Sequence, residues 1–80
     1  MQGMGKYFRT LLFEKKAELV KKRGTYLGQR SQNKQKVYLY SVDIIFVELY
    51  FNPVEKKIIK VEEINYDVLE QFYLKDCPIN

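Results

Sequence analysis

The chain has 80 residues, 46% hydrophobic and 15% aromatic, with a net charge of +4, one cysteine and no histidine. That length fits a single domain spanning 1–80, and the apolar content excludes the disordered class. Without histidine the commonest general base and zinc ligand are missing, and the lone Cys77 cannot form an intramolecular disulfide, which points to a reducing, cytoplasmic setting.

Residues 1–4, with a second Met at position 4, read as a disordered leader or alternative start. The run from Tyr7 to Phe13 is too broken for a signal-peptide core, and no apolar run approaches the ~20 residues of a membrane span. From Gly5 to Arg23 the spacing predicts a helix with Phe8, Leu12, Leu19 and Val20 on one face and Phe13 at its edge. Lys15 and Lys16 interrupt that face, so their stems are expected along the core rim with the ammonium groups in water. Gly24 supplies a left-handed stop after three cations suited to the negative end of the helix dipole.

Thr25 to Arg30 reads as a short edge strand with a weak spot or bulge at Gly28, and Ser31 to Gln35 as a polar turn. A strand from Lys36 to Ser41 puts Val37 and Leu39 on one face and Tyr38 and Tyr40 on the other. Around Ser41 to Asp43 the alternation falters, and a tight turn is favoured over a bulge. Ile44 to Phe51 is apolar on both faces, with Ile45, Val47, Leu49 and Phe51 against Ile44, Phe46, Glu48 and Tyr50, as suits a central strand.

Asn52 and Pro53 open a hairpin loop, because proline cannot donate to a ladder. The last strand, Lys57 to Ile64, directs Ile59 and Val61 one way and Ile58, Lys60 and Glu62 the other, with charges that guard an edge. Asn65 is the expected cap of a second helix from Tyr66 to about Asp76, presenting Val68, Leu69, Phe72 and Tyr73 and ended by Pro78. The fold class expected is therefore α+β: an N-terminal helix, a three- or four-stranded antiparallel meander and a C-terminal helix.

No phosphate-binding glycine loop is present, and Cys77 reads as an inert thiol. No catalytic residue, cofactor, metal-ligand set or small-molecule substrate is indicated. Glu48 has two readings. It is either partly buried, with burial raising its pKa, or solvent-facing and paired with a lysine such as Lys60. Glu62 and Glu63 lie on opposite strand faces and cannot form an acid/base pair, while Asp43 serves the turn.

The charge is asymmetric: residues 1–40 hold ten cations and two carboxylates, a balance of +8, and residues 41–80 hold four cations and eight carboxylates, a balance of −4. Such asymmetry arises when the halves attract each other or when the basic half meets an anionic partner. If both helices cover the face of Ile45, Val47 and Leu49, an aromatic face of Tyr38, Tyr40, Phe46, Tyr50 and Ile58 is left bare; if they take opposite faces, both sets are covered. A bare aromatic face implies an interaction module that self-associates as a homodimer. Single-stranded nucleic acid (RNA) is the alternative partner, with phosphates taken by Lys21, Lys22, Arg23, Arg30, Lys34 and Lys36. A small nuclease using Tyr, Lys, Arg and Glu48 is a third reading.

Overall fold

Three turns, each built from residues that accept left-handed backbone or lack a ladder donor, fold the middle of the chain into a sheet. In the computed structural model, which describes residues 4–74, β1 (Thr25–Gln32) and β2 (Gln35–Val42) join at Asn33 and Lys34. Their φ values of 51° and 65° meet the type I′ requirement for two positive angles. Asp43, with φ 55°, and Ile44 carry β2 into β3 (Ile45–Asn52). The expected tight turn is thus present, shifted one residue along. Between β3 and β4 (Lys57–Ile64), Oδ1 of Asn52 accepts from the backbone N–H groups of Val54 (2.8 Å) and Glu55 (3.0 Å), and Lys56 takes φ 59°. The product is a four-stranded antiparallel meander in the order β1-β2-β3-β4, flanked by helices, an α+β architecture.

The N-terminal helix is two pieces rather than one, α1 (Met4–Arg9) and α2 (Phe13–Arg23). The break is local: Thr10 donates from Oγ1 and from its backbone N–H to the carbonyl of Tyr7, and Leu11 N–H bonds the Phe8 carbonyl, which tightens the last turn and ends it. Leu12 is consequently extended and exposed instead of lying on the buried stripe, and Ala17 joins Phe8 and Val20 inside. Lys16 keeps its stem on the core rim, with Nζ 5.4 Å from the centre of the Phe8 ring. Gly24 ends α2, but with φ −82° it is extended and not left-handed. Its glycine is required by space: a Cβ there would lie 2.5 Å from the Val20 carbonyl oxygen.

At the other end Asn65 caps α3 (Tyr66–Leu69) by accepting from Val68 N–H at 3.0 Å, and the helix continues as a π-helical turn over Glu70–Leu74. The expected extension to Asp76 and the calls on Cys77 and Pro78 lie outside the described residues.

The helices take opposite faces of the sheet. Phe8, Ala17 and Val20 bury Val42, Ile45, Val47, Leu49 and Val61, while Leu69 packs with Leu39 and Ile64 on the other side, joined by Phe46, Val68 and Tyr73. Register decides which aromatics go where. The two-residue turn pairs Val42 with Ile45, so Tyr40 stands opposite Val47 and Tyr38 opposite Leu49, on the α2 side, and Leu39 stands opposite Glu48 on the α3 side. Two bulges shift the outer strands. Leu27 is the extra residue between Tyr26 and Gly28, where the weak spot was expected, and Ile59 is the extra residue opposite Tyr50 and Phe51. The second bulge corrects β4: Ile58 packs on the α2 side, and Ile59 is 37% exposed.

Candidate functional site

The proposed aromatic face therefore does not exist as one surface. Tyr38, Tyr40 and Ile58 lie on the α2 side, whereas Phe46 and Tyr50 lie on the α3 side. The reason is that faces were assigned strand by strand, and a two-residue turn couples even positions on β2 to odd positions on β3.

Beneath α3 lies the most unusual arrangement in the molecule. Glu48, 1% exposed in the middle of β3, is the only buried charged residue among the described residues. Each of its oxygens accepts two hydrogen bonds. Oε1 takes Arg30 Nη2 (3.1 Å) and Tyr50 Oη (3.0 Å), and Oε2 takes Arg30 Nε (3.0 Å) and Tyr73 Oη (2.8 Å). Arg30 Nη1 donates to Gln32 Oε1, and the Phe72 ring lies 4.1 Å from the guanidinium carbon. Alternation explains the meeting: Arg30, Val37 and Tyr50 form one cross-strand row and Leu39, Glu48 and Glu62 the next, so Arg30 spans β2 to reach β3.

Both earlier readings of Glu48 need correction. It is buried, yet its carboxyl is held below its ordinary value: burial pushes it up, but hydrogen bonds from Arg30 and Tyr73, the Arg30 charge and the Tyr50 hydroxyl together outweigh that push. Lys60 does not serve it; Lys60 pairs with Glu62 at 3.1 Å and lies 4.9 Å above the Tyr50 ring. Arg30 is held above its ordinary value: burial pulls it down, and hydrogen bonding and attraction to Glu48 win. The Tyr73 phenol is pushed well up by burial and by hydrogen bonding to, and the charge of, Glu48, and Tyr50 moves the same way through burial and the Glu48 charge.

With four donors on two oxygens, this carboxylate has no position left for a substrate proton. The cluster is a clamp that ties β1, β3 and the C-terminal helix together. No family model, curated protein or solved structure matches this chain. Among the described residues, no group of three or more His, Cys, Asp or Glu could hold a metal ion, and no helix is long and apolar enough to cross a membrane.

The basic residues also divide. Arg30 belongs to the clamp, and Arg23 pairs with Asp43 at 3.3 Å. Arg9 pairs with Glu63 at 3.0 Å, so three ion pairs join the basic half of the chain to the acidic half and account for part of the asymmetry. Lys21, Lys22, Lys34 and Lys36 are exposed and have no carboxylate partner among the described residues.

Two further features face solvent. One is a line of rings on the α2 side, Tyr26, Tyr38 and Phe51, with centroids 6.3 Å and 6.5 Å apart; Tyr26 is half exposed, and Tyr38 and Phe51 are partly buried against the core. The other is the edge of β1, which pairs with no strand on its outer side among the described residues and where every residue except Gly28 and Arg30 is exposed. The bulge at Gly28 was legible in the sequence. The clamp was not, although an arginine alone on an uncharged edge strand and a glutamate alone on an apolar central strand were its signal.

Proposed function

We propose that this protein is a small non-enzymatic interaction module that self-associates, two copies joining edge to edge along β1 to continue the sheet. The observation that carries this reading is the contrast between the two sheet edges. β4 presents Lys57, Lys60, Glu62 and Glu63, charges that discourage strand addition. On β1, TYLGQRSQ, the sole charge is Arg30, and it is turned inward onto Glu48. The backbone groups of this eight-residue strand that point away from β2, which have no strand partner among the described residues, are thus offered without a charged guard.

A two-fold axis perpendicular to the sheet joins antiparallel copies of β1 into an eight-stranded sheet and keeps equivalent faces on the same side. The edge replaces the aromatic face as the contact surface, because Phe46 packs with α3 and Tyr50 is bound to Glu48. A saturated Glu48 fits a binding role better than a catalytic one, and a single cysteine fits a reducing, cytoplasmic setting.

Sedimentation equilibrium up to several hundred micromolar tests this. The expected result is a reversible dimer, reduced to monomer by Gln29→Lys, which sets like charges near each other across the axis while the circular dichroism spectrum stays unchanged. A wild-type chain that stays monomeric over that range overturns the proposal.

A further inference from the structure

The line of rings lies on the α2-side face of the sheet, begins on β1 at Tyr26 and so adjoins the β1 edge, and it has its own chemistry. Tyr26, Tyr38 and Phe51 cross three adjacent strands diagonally, with interplanar angles of 55° and 56° between successive rings, tilted instead of stacked on one another. Neighbouring rings of the line do not stack face to face; Tyr40 stands edge-on to Tyr26 at 5.8 Å, and Tyr38 and Phe51 turn part of their surface to the core, so it is the outward part of each ring that a ligand meets. Beside them the sheet carries Gln29, opposite Tyr38, and Ser31 and Lys36, which lie in the same cross-strand row as Phe51. No carboxylate occupies either row on β1, β2 or β3.

The turns add charge at one end of this line. The β1–β2 turn and the β3–β4 loop lie at the same end of an antiparallel meander, so Lys34 and Lys56 join Lys36 beyond Phe51. All three are exposed and have no carboxylate partner among the described residues. Left-handed φ values of 65° at Lys34 and 59° at Lys56 place lysine where glycine or asparagine is conformationally easier. A run of aromatic faces ending in unpaired ammonium groups is complementary to a polymer that alternates flat bases with phosphates.

We infer that the strip Tyr26, Tyr38 and Phe51, with Lys34, Lys36 and Lys56 at its end, binds single-stranded nucleic acid, bases stacking on the rings and phosphates meeting the lysines. Recognition of this kind is tolerant of sequence, since every base has a stacking face. The strip is complete in one copy, so binding stands or falls independently of self-association. Arg23 and Arg30 take no part, being committed to Asp43 and Glu48.

Fluorescence anisotropy with a labelled oligouridine of twelve nucleotides tests the inference. Three lysine–phosphate contacts on a single strand predict that a fourfold rise in salt, from 50 to 200 mM, weakens binding by roughly twentyfold. Tyr26→Ala, at a half-exposed ring whose loss spares the core, is expected to weaken it by roughly fivefold to a hundredfold. Lys36→Glu is expected to weaken binding and flatten its salt dependence, with folding checked by circular dichroism. No binding at 50 mM salt and hundred-micromolar protein overturns the inference. So does binding that Tyr26→Ala and Lys36→Glu both leave unchanged, and so does equal binding of an uncharged, phosphate-free analogue.

Discussion

Glu48→Gln changes one atom in the clamp and removes its charge. The side chain keeps its size, but an amide nitrogen replaces one of two oxygens that each accept two hydrogen bonds, and it meets donors from Arg30 and a tyrosine hydroxyl instead of receiving them. The guanidinium, whose side chain is 14% exposed, is left without a counter-charge. Breaking a buried pair from one side costs about 3–5 kcal/mol. Against the roughly 4–12 kcal/mol available to a domain of this size, that is a large share. The melting temperature should fall by at least about 12 °C. Urea unfolding followed by circular dichroism measures it directly. Replacing the whole cluster, Arg30→Met, Glu48→Leu, Tyr50→Phe and Tyr73→Phe, supplies the contrast, because exchanging every partner for an apolar group leaves no hydroxyl without its acceptor and is expected to be near neutral or stabilising. A loss below about 0.5 kcal/mol in Glu48→Gln would mean that the pair is hydrated in solution and does not clamp the strands.

The same cluster sets the pH dependence of folding. The Glu48 carboxyl is lowered in the fold, so its contribution is present above its unfolded value of about 4.3 and lost as pH falls through the folded one. Tyr50 and Tyr73 are raised, so theirs is present below about 10 and lost as pH rises through the folded values. Urea midpoints should therefore decline below roughly pH 4 and above roughly pH 10, and Tyr73→Phe should make the alkaline decline shallower. Lys34→Gly relieves a left-handed lysine with φ 65°, partly offset by glycine's freer unfolded chain, and should raise stability by about 0.5–1 kcal/mol in the same assay. Gly24→Ala drives a methyl to within 2.5 Å of the Val20 carbonyl oxygen and should cost about 1–3 kcal/mol.

Local chemistry was readable in the sequence wherever it was self-contained. Asn65 caps α3, Asn52 and Pro53 turn the chain, Lys57–Ile64 is a strand, and the β1 bulge falls next to Gly28. What depended on relations between strands was not readable. Faces read on each strand separately do not show which of them coincide; the two-residue turn at Asp43 and Ile44 pairs even positions of β2 with odd positions of β3, and that parity separated Tyr38 and Tyr40 from Phe46 and Tyr50. The bulge at Ile59 reversed Ile58 in the same way. The N-terminal helix broke at Thr10 through a side-chain bond to the Tyr7 carbonyl, a competitor that helical periodicity does not reveal.

The clamp illustrates the limit best. Arg30 and Glu48 are 18 positions apart, on strands that are not neighbours, and Tyr73 arrives from a helix 25 positions beyond Glu48. Only the assembled sheet makes them partners. Their meeting also removes the one charge that would have guarded β1, so the buried cluster and the open edge have the same origin.

Amide hydrogen exchange along Thr25–Gln32, measured residue by residue over a hundredfold range of protein concentration, tests self-association most directly. Pairing along β1 predicts that the amides pointing away from β2 exchange more slowly as concentration rises, while those bonded to β2 do not change. Outward amides that exchange at the same fast rate at every concentration would show that the edge stays open.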